Sequence, residues 1–266
     1  MSDLAILSGG GALPVMLAQA EPDAVRVVFE GVAHEMPDPV HLHSIAKMGG
    51  IWQALKDAGV TRVVFAGGLG RPALNPADMD AGMMSIAPRL MAAMQQGDDA
   101  LLRLIVAVFE EQGFEVVGAH EVLQQICVPE GLFAGPEPDA ALLEDAKKAQ
   151  DILVALSPLD VGQGAVVAAG LCLGIETLQG SDALLRFVAE TPPHLRRGKG
   201  VFVKMPKANQ DLRMDMPAIG PDTVHSAAKA GLAGLVVAAH KVLMIDREAT
   251  RQALEDSGLF LVGQVV

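Results

Sequence analysis

Two glycine-rich segments in the first half of the chain and an acidic loop in the second hold residue types that can do chemistry at close spacing. Gly9-Gly10-Gly11 lies between an apolar run and a helical stretch. Glycines adopt dihedrals closed to other residues and let a ligand approach the backbone, and the helix start that follows favours anions. Gly10, Gly11 and Ala12 therefore form a candidate cradle for a nucleotide or diphosphate. The segment falls short of the dinucleotide fingerprint, since Leu13 and Pro14 follow and no third glycine has the required spacing; no Gly-Lys-Ser/Thr makes it a P-loop. Alone, it reads equally well as a tight strand–helix turn. Gly67-Gly68-Leu69-Gly70-Arg71-Pro72 follows a β-branched apolar segment. Open α/β sheets bind ligands beyond the carboxyl ends of their strands, so this loop, through Gly67 and Gly68, and the first triplet are expected to share a pocket. Arg71 would pair with phosphate or cap a helix.

In the second half, Asp160-Val161-Gly162-Gln163-Gly164 sets an amide side chain between glycines just before an apolar run. Gln163 both donates and accepts, which suits a uracil edge or a sugar hydroxyl; an ordinary turn is the plainer reading. Glu176-Thr177-Leu178-Gln179-Gly180-Ser181-Asp182 closes one element and opens a helix, with Glu176 and Asp182 within reach of a metal and Thr177, Gly180 and Ser181 offering polar contacts. The start of this helix echoes 97–103, another glycine, capping side chain and acidic first turn. Lys204-Met205-Pro206-Lys207 precedes 209–220, where Asp211, Arg213 and Asp215 are set among Met214, Met216, Pro217 and Ile219. Such neighbours suggest that Asp215 is partly enclosed and partnered by a cation. His225 follows in the next helix, as a ligand contact or a packed histidine.

These residues need elements to hold them. Apolar segments at 4–7, 25–29, 61–66 and 114–117 alternate with helical patterns at 12–20, 45–58, 81–95 and 99–112, which predicts a parallel sheet covered on both faces. Pro129, Gly131, Gly135, Pro136 and Pro138 mark a boundary. Domains of 1–132 and 133–266 follow, the second also α/β, with helices at 140–156, 181–189, 222–230 and 247–257 and strands at 164–169, 171–175, 201–204, 234–238, 242–245 and 259–262. Net charge is −12, so nucleic acid is not an expected partner. Aromatics are 3% of the residues and Tyr is absent, so base stacking is not the main binding mode. Cys127 and Cys172 sit in apolar runs and read as buried thiols of a reducing compartment. No zinc spacing is present, and His41-Leu42-His43 lacks further ligands. No apolar run approaches the roughly 20 residues of a bilayer span, and the start of the chain does not read as a signal peptide; a cytoplasmic location is expected.

Taken in order, Gly9-Gly10-Gly11-Ala12-Leu13-Pro14, Phe65-Ala66-Gly67, Gly97-Asp98-Asp99-Ala100-Leu101-Leu102-Arg103, Gly118-Ala119-His120-Glu121, Asp160-Val161-Gly162-Gln163-Gly164, Gly180-Ser181-Asp182, Lys204-Met205-Pro206, Arg213-Met214-Asp215-Met216-Pro217 and Gly231-Leu232-Ala233-Gly234 resemble the LpxI-type UDP-2,3-diacylglucosamine pyrophosphatases over nearly the whole chain. The resemblance implies an N-terminal Rossmann-like parallel-sheet domain plus a distinct C-terminal α/β domain, with substrate between them. It implies hydrolysis of UDP-2,3-diacylglucosamine to UMP and 2,3-diacylglucosamine 1-phosphate in lipid A biosynthesis, by water attacking the uridine-side phosphorus with a divalent cation, Mg2+ by type. Asp215 matches the family's essential aspartate and is the catalytic candidate. Asp215 and Glu176 are the metal candidates, and Lys204 or Arg213 would stabilise developing charge. The acyl chains call for an apolar groove, expected near 205–219, by which the enzyme would meet the inner-membrane surface transiently. Family members carry Asn and Ser in the loop that here reads Gly67-Gly68-Leu69-Gly70, leaving backbone contacts. A homodimer is compatible with these features. The competing class is a nucleotide-sensing binding protein without turnover, which would not need a metal-holding carboxylate at Asp215; a nicotinamide oxidoreductase is disfavoured by the incomplete fingerprint.

Overall fold

A computed structural model describes residues 2–70, 75–208 and 210–266. Arg71, Pro72 and Asn209, and with them the expected phosphate contact of Arg71, lie outside the described residues. The chain divides into two units, Met1–Gln124 with Asp211–Asp215, and Gln125–Gln210 with Met216–Val266.

The first unit runs β1 (Leu4–Ser8), α1 (Ala12–Ala20), β2 (Val25–Phe29), β3 (His41–His43), α2 (Met48–Asp57), β4 (Arg62–Ala66), α3 (Ala81–Gln96), α4 (Asp98–Glu111), β5 (Glu115–Val117) and α5 (Ala119–Val122). Its sheet has the order β3-β2-β1-β4-β5, all parallel. β1 is buried throughout because both faces of the sheet are covered. Ala5 and Leu7 point to one side, where Met48, Ile51, Trp52 and Leu55 of α2 and Phe109 of α4 pack. Leu4 and Ile6 point to the other, against Leu17 and Ala18 of α1. The winding reverses between β1 and β4, so their carboxyl ends form a switch point, the place where such sheets leave a crevice. His41 and His43 are on β3, a short edge strand paired with β2. Burial, and then His41 beside it, hold the His43 imidazole below its usual range.

The second unit comprises β6 (Gly131–Ala134), α6 (Ala140–Leu156), β7 (Gly164–Ala168), β8 (Leu171–Ile175), α7 (Gly180–Ala189), β9 (Val201–Lys204), β10 (Ala218–Ile219), α8 (Pro221–Lys229), β11 (Gly234–Ala238), β12 (Leu243–Met244), α9 (Arg247–Ser257) and β13 (Phe260–Gln264). The larger sheet is mixed, in the order β6-β13-β11-β9-β7-β8, and β10 pairs with β12 in a second, small sheet. α6 covers one face of the large sheet through Ala146, Ala149 and Leu153, and α7, α8 and α9 cover the other. The proline- and glycine-rich segment expected as a boundary contains β6, which pairs antiparallel with β13; the expected division at 132/133 falls inside that strand. Cys127 is buried, as expected, and burial pushes its thiol up. Cys172 is exposed, contrary to expectation, because β8 is an edge strand whose first two residues face solvent. Asp145 of α6 is buried and accepts from the amides of Ala169 and Gly170 at 2.7 Å each, which fixes the β7–β8 turn. Among the described residues no helix is long and apolar enough to cross a membrane.

Candidate functional site

At the carboxyl edge of the first sheet the two glycine loops are joined backbone to backbone. Gly10 N donates to Gly68 O at 2.8 Å, and Gly68 N donates to Gly10 O at 2.9 Å. A Cβ at Gly9 would lie 2.5 Å from Gly68 O, and one at Gly67, where φ is +86°, would lie 2.4 Å from Gly10 O. These glycines exist so that two main chains can touch. Gly11 differs. Its φ of 100° and ψ of −178° belong to a region essentially reserved for glycine, yet a Cβ there would meet nothing within 4 Å. Gly11 precedes α1 without a side-chain cap, leaving the first amides of that helix to solvent or a ligand. Ala12 is exposed beside it.

Against this edge lies an apolar pocket of about 320 Å³. Gly9, Gly67, Leu69 and Gly70 come from the loops, Phe29 and Phe65 from the sheet, and Met83, Ile86, Leu90 and Met94 from α3. Leu101, Leu102, Ile105 and Phe109 of α4 close the far wall. Among the described residues lining it, Asp215 alone is ionisable. The segment that delivers Asp215 is tied to the first unit by Arg213, whose guanidinium donates to Asp211 at 2.9 and 2.7 Å and to Glu110 of α4 at 2.9 Å. The pairing with Asp211 holds the Arg213 guanidinium charged and pulls the Asp211 carboxyl below its usual range. Arg213 Cα also lies 3.3 Å from where a Cβ at Gly118 would be, so that glycine seats the segment. Asp215 N donates to Asp211 O at 3.2 Å, completing a turn.

Two expectations change here. Asp215 is exposed, not partly enclosed: Met214 turns into the pocket and Pro217 is buried, while the carboxylate stays at the solvent side. Of the segment expected to form an apolar groove, only Met214 and Asp215 line this pocket; its walls are mostly α3 and α4. The readable signal was the run of methionines and leucines along 83–105, apolar beyond what one buried helix face requires.

The second unit assembles a polar cluster. Lys204 Nζ, at the end of β9, donates to Ser181 Oγ at 2.7 Å, and Ser181 Oγ donates to Glu176 Oε2 at 2.7 Å. Lys204 is paired in register with Gly164 of β7. A Cβ at Gly164 would lie 2.5 Å from Glu176 Oε2, and one at Gly162 would lie 2.1 Å from Glu176 O, so both glycines around Gln163 make room for Glu176. Gln163 itself is half-buried, and its carbonyl accepts from Met205 N. Thr177 Oγ1 donates to Gln179 Oε1 just before α7, and Gly180 opens that helix with φ +81°. Lys207 pairs with Asp160. His225 is exposed on α8, and among the described residues no hydrogen bond joins it to the cluster. Glu176, Ser181 and Lys204 are thus brought together, with Gln163, Thr177 and Gly180 on the adjoining backbone.

Among the described residues no group of three or more His, Cys, Asp or Glu side chains is placed to hold a metal. A structural zinc is held by four protein ligands. Mg2+ is different, because it is held by one or two carboxylates, waters and substrate phosphates; Asp215 and Glu176 each fit that requirement within their own unit.

The parallel sheet with glycine loops at its switch point makes this a two-unit α/β protein whose first unit is a Rossmann-like parallel-sheet domain. The chain belongs to the LpxI family. The family's N-terminal domain matches residues 3–126 and its C-terminal domain matches residues 129–262. A protein of Caulobacter vibrioides named UDP-2,3-diacylglucosamine pyrophosphatase LpxI is 41% identical over 273 residues, covering 99% of this chain and 98% of that protein.

Proposed function

We propose that this chain is a UDP-2,3-diacylglucosamine pyrophosphatase of lipid A biosynthesis, cleaving its substrate to UMP and 2,3-diacylglucosamine 1-phosphate. The observation that carries this reading is a carboxylate, Asp215, at the rim of a pocket whose other described lining residues are uncharged, and which the two glycine loops border. A substrate that joins acyl chains to a diphosphate needs that combination. The pocket volume of about 320 Å³ corresponds to on the order of ten methylene groups, taking for each the ~30 Å³ that a water fills in the liquid; one acyl chain is its occupant.

In the reaction a water oxygen bonds to the uridine-side phosphorus, and the bond from that phosphorus to the bridging oxygen breaks. The bridging oxygen leaves with the glucosamine phosphate. Asp215 orients the water or accepts its proton. The backbone of Gly10, Gly11, Ala12, Gly67 and Gly68 receives diphosphate oxygens, and Gln163 reads the uracil edge or a ribose hydroxyl. Ser181 and Lys204, with Thr177 and Gly180 beside them, supply hydrogen bonds and positive charge for phosphate; His225 is a further substrate contact. A bound Mg2+, for which Asp215 in the first unit and Glu176 in the second are the separate candidate ligands, would neutralise the repulsion between phosphate oxygens.

Hydrolysis in oxygen-labelled water tests the reading. Label is expected in UMP. Label in the lipid product places the attack on the other phosphorus and overturns the geometry, and UDP-lipid binding without any UMP release removes the enzymatic reading altogether.

A further inference from the structure

The charge of the chain is unevenly distributed. Between Ala183 and Gln210 the one acidic residue is Glu190, against Arg186, Arg196, Arg197, Lys199, Lys204 and Lys207, in a protein of net charge −12. Three of these cations have internal duties. Lys204 and Lys207 are bound to Ser181 and Asp160, and Arg196 donates Nη2 to Val188 O at 2.8 Å. That last bond, with Thr191 N to Val188 O, folds the 191–196 segment back onto the last turn of α7. Arg186, Arg197 and Lys199 remain exposed, and none of them has an ion pair among the described residues. Gly198 adjoins the β7–β8 turn, 3.7 Å from Ala169 Cβ to the position a Cβ would take. The exposed Lys148 reaches the same turn, at Gly170 O.

Among these cations large apolar side chains stand in water. Phe187, on the last turn of α7, is 64% exposed and Leu195, in the segment folded against that turn, is 54% exposed. Single exposed apolar residues need no explanation. A phenylalanine and a leucine on adjacent segments, flanked in sequence by exposed cations without an ion pair among the described residues, on an acidic protein, do. The arrangement matches what an interfacial anchor needs: apolar side chains that enter the headgroup region, and lysines and arginines that meet anionic lipid.

We propose that this face of the second unit, built on the end of α7 and residues 195–199, docks the protein on an anionic phospholipid surface. The rest of the molecule, acidic overall, is repelled by such a surface, so the patch also sets which side approaches. The inference rests on the proposed function only in supposing that the substrate resides in a membrane; the docking itself is tested without turnover.

Flotation of the full chain with phosphatidylcholine vesicles, with and without phosphatidylglycerol, reads it directly. The chain is expected to float with the phosphatidylglycerol vesicles alone and to be released as salt rises. Arg197→Gln with Lys199→Gln is expected to lower the partition coefficient roughly 30-fold, and Phe187→Ser several-fold, with unfolding temperatures unchanged because all three side chains are exposed. On detergent-dispersed substrate the variants should turn over like the parent chain, and on vesicle-borne substrate more slowly. No binding to phosphatidylglycerol vesicles, or equal binding by parent and variants, overturns the proposal. So does a dimer in solution that Phe187→Ser dissociates while vesicle binding is unchanged. A parent chain that floats as expected but releases no UMP in detergent leaves docking intact and removes the proposed function.

Discussion

The two units build their candidate sites from opposite materials. In the first, two glycine loops meet backbone to backbone, and the space beside them is walled with apolar side chains around the one carboxylate among the described lining residues. In the second, side chains hold one another: lysine to serine, serine to glutamate, lysine to aspartate. Glycine serves both, but differently. At Gly9 and Gly67 a side chain would strike main chain, which cannot move without shifting a strand; in the second unit Gly162 also faces main chain, at Glu176 O, while Gly164 faces side chains, the end of Glu176 and the Phe202 ring. A backbone-built site therefore responds to substitution through the fold, and a side-chain-built site through its network.

Asp215→Ala breaks the contrast most sharply, because Asp215 is the one ionisable side chain among the described residues at the apolar pocket. Loss of turnover on the order of 10³-fold or more is expected, from removal of a group acting on the reacting water, with a melting temperature close to that of the parent chain because the residue is exposed. Single-turnover assays and thermal melts check both; turnover within a few-fold of normal takes Asp215 out of the mechanism.

Leu90→Trp addresses the pocket wall. A larger side chain there should raise KM for the long-chain substrate about tenfold, equivalent to burying one or two fewer methylenes, and leave a short-chain analogue almost untouched. Equal effects on both analogues would show that no acyl chain uses the pocket. Gly9→Ala and Gly11→Val then separate two roles of glycine within one loop. Gly9→Ala forces main chain apart and should cost about 1–3 kcal/mol of stability. Gly11→Val carries a dihedral cost of about 1–3 kcal/mol but no clash, and should weaken UDP-lipid binding as well; a variant that loses stability while keeping full affinity returns Gly11 to a purely structural turn.

The smallest effect concerns pH. Arg213 depresses the carboxyl of Asp211 in the folded state, so the pair's contribution is present above the ordinary carboxylate range of about 4 and is lost as pH falls through the lower folded value. The difference in melting temperature between the parent chain and Asp211→Asn should therefore shrink on acidification from neutral pH, and a difference that grows would reverse the assignment.

Much of the fold was legible because its elements obey their periods. β1, β4, β7 and β11 are continuous apolar runs, and α2 and α9 show one apolar stripe each. β3 and β6 were not, for physical reasons: His41-Leu42-His43 has no buried face to advertise a strand, and 131–134 sits among prolines and glycines that signal a break, with its pairing decided by a partner over a hundred residues away. The Glu176–Ser181–Lys204 cluster was legible as residue types, and its hydrogen bonding was not. The pocket between α3, α4 and the sheet was not legible, since pocket walls are made where helices meet, and a run of methionines does not say which of its faces has been left uncovered. Cys172 showed the same limit: an apolar run does not reveal that it lies at a sheet's edge.

The first unit is not continuous in the chain. Its sheet and helices are complete by residue 124, but Asp211–Asp215 belong to it, and Arg213 must reach Glu110 before Asp215 can stand at the pocket. A ribosome making this protein therefore finishes the parallel sheet some ninety residues before it delivers Met214 and Asp215, and on the proposed function the nascent chain would carry its glycine loops throughout that interval without the carboxylate that acts on the water.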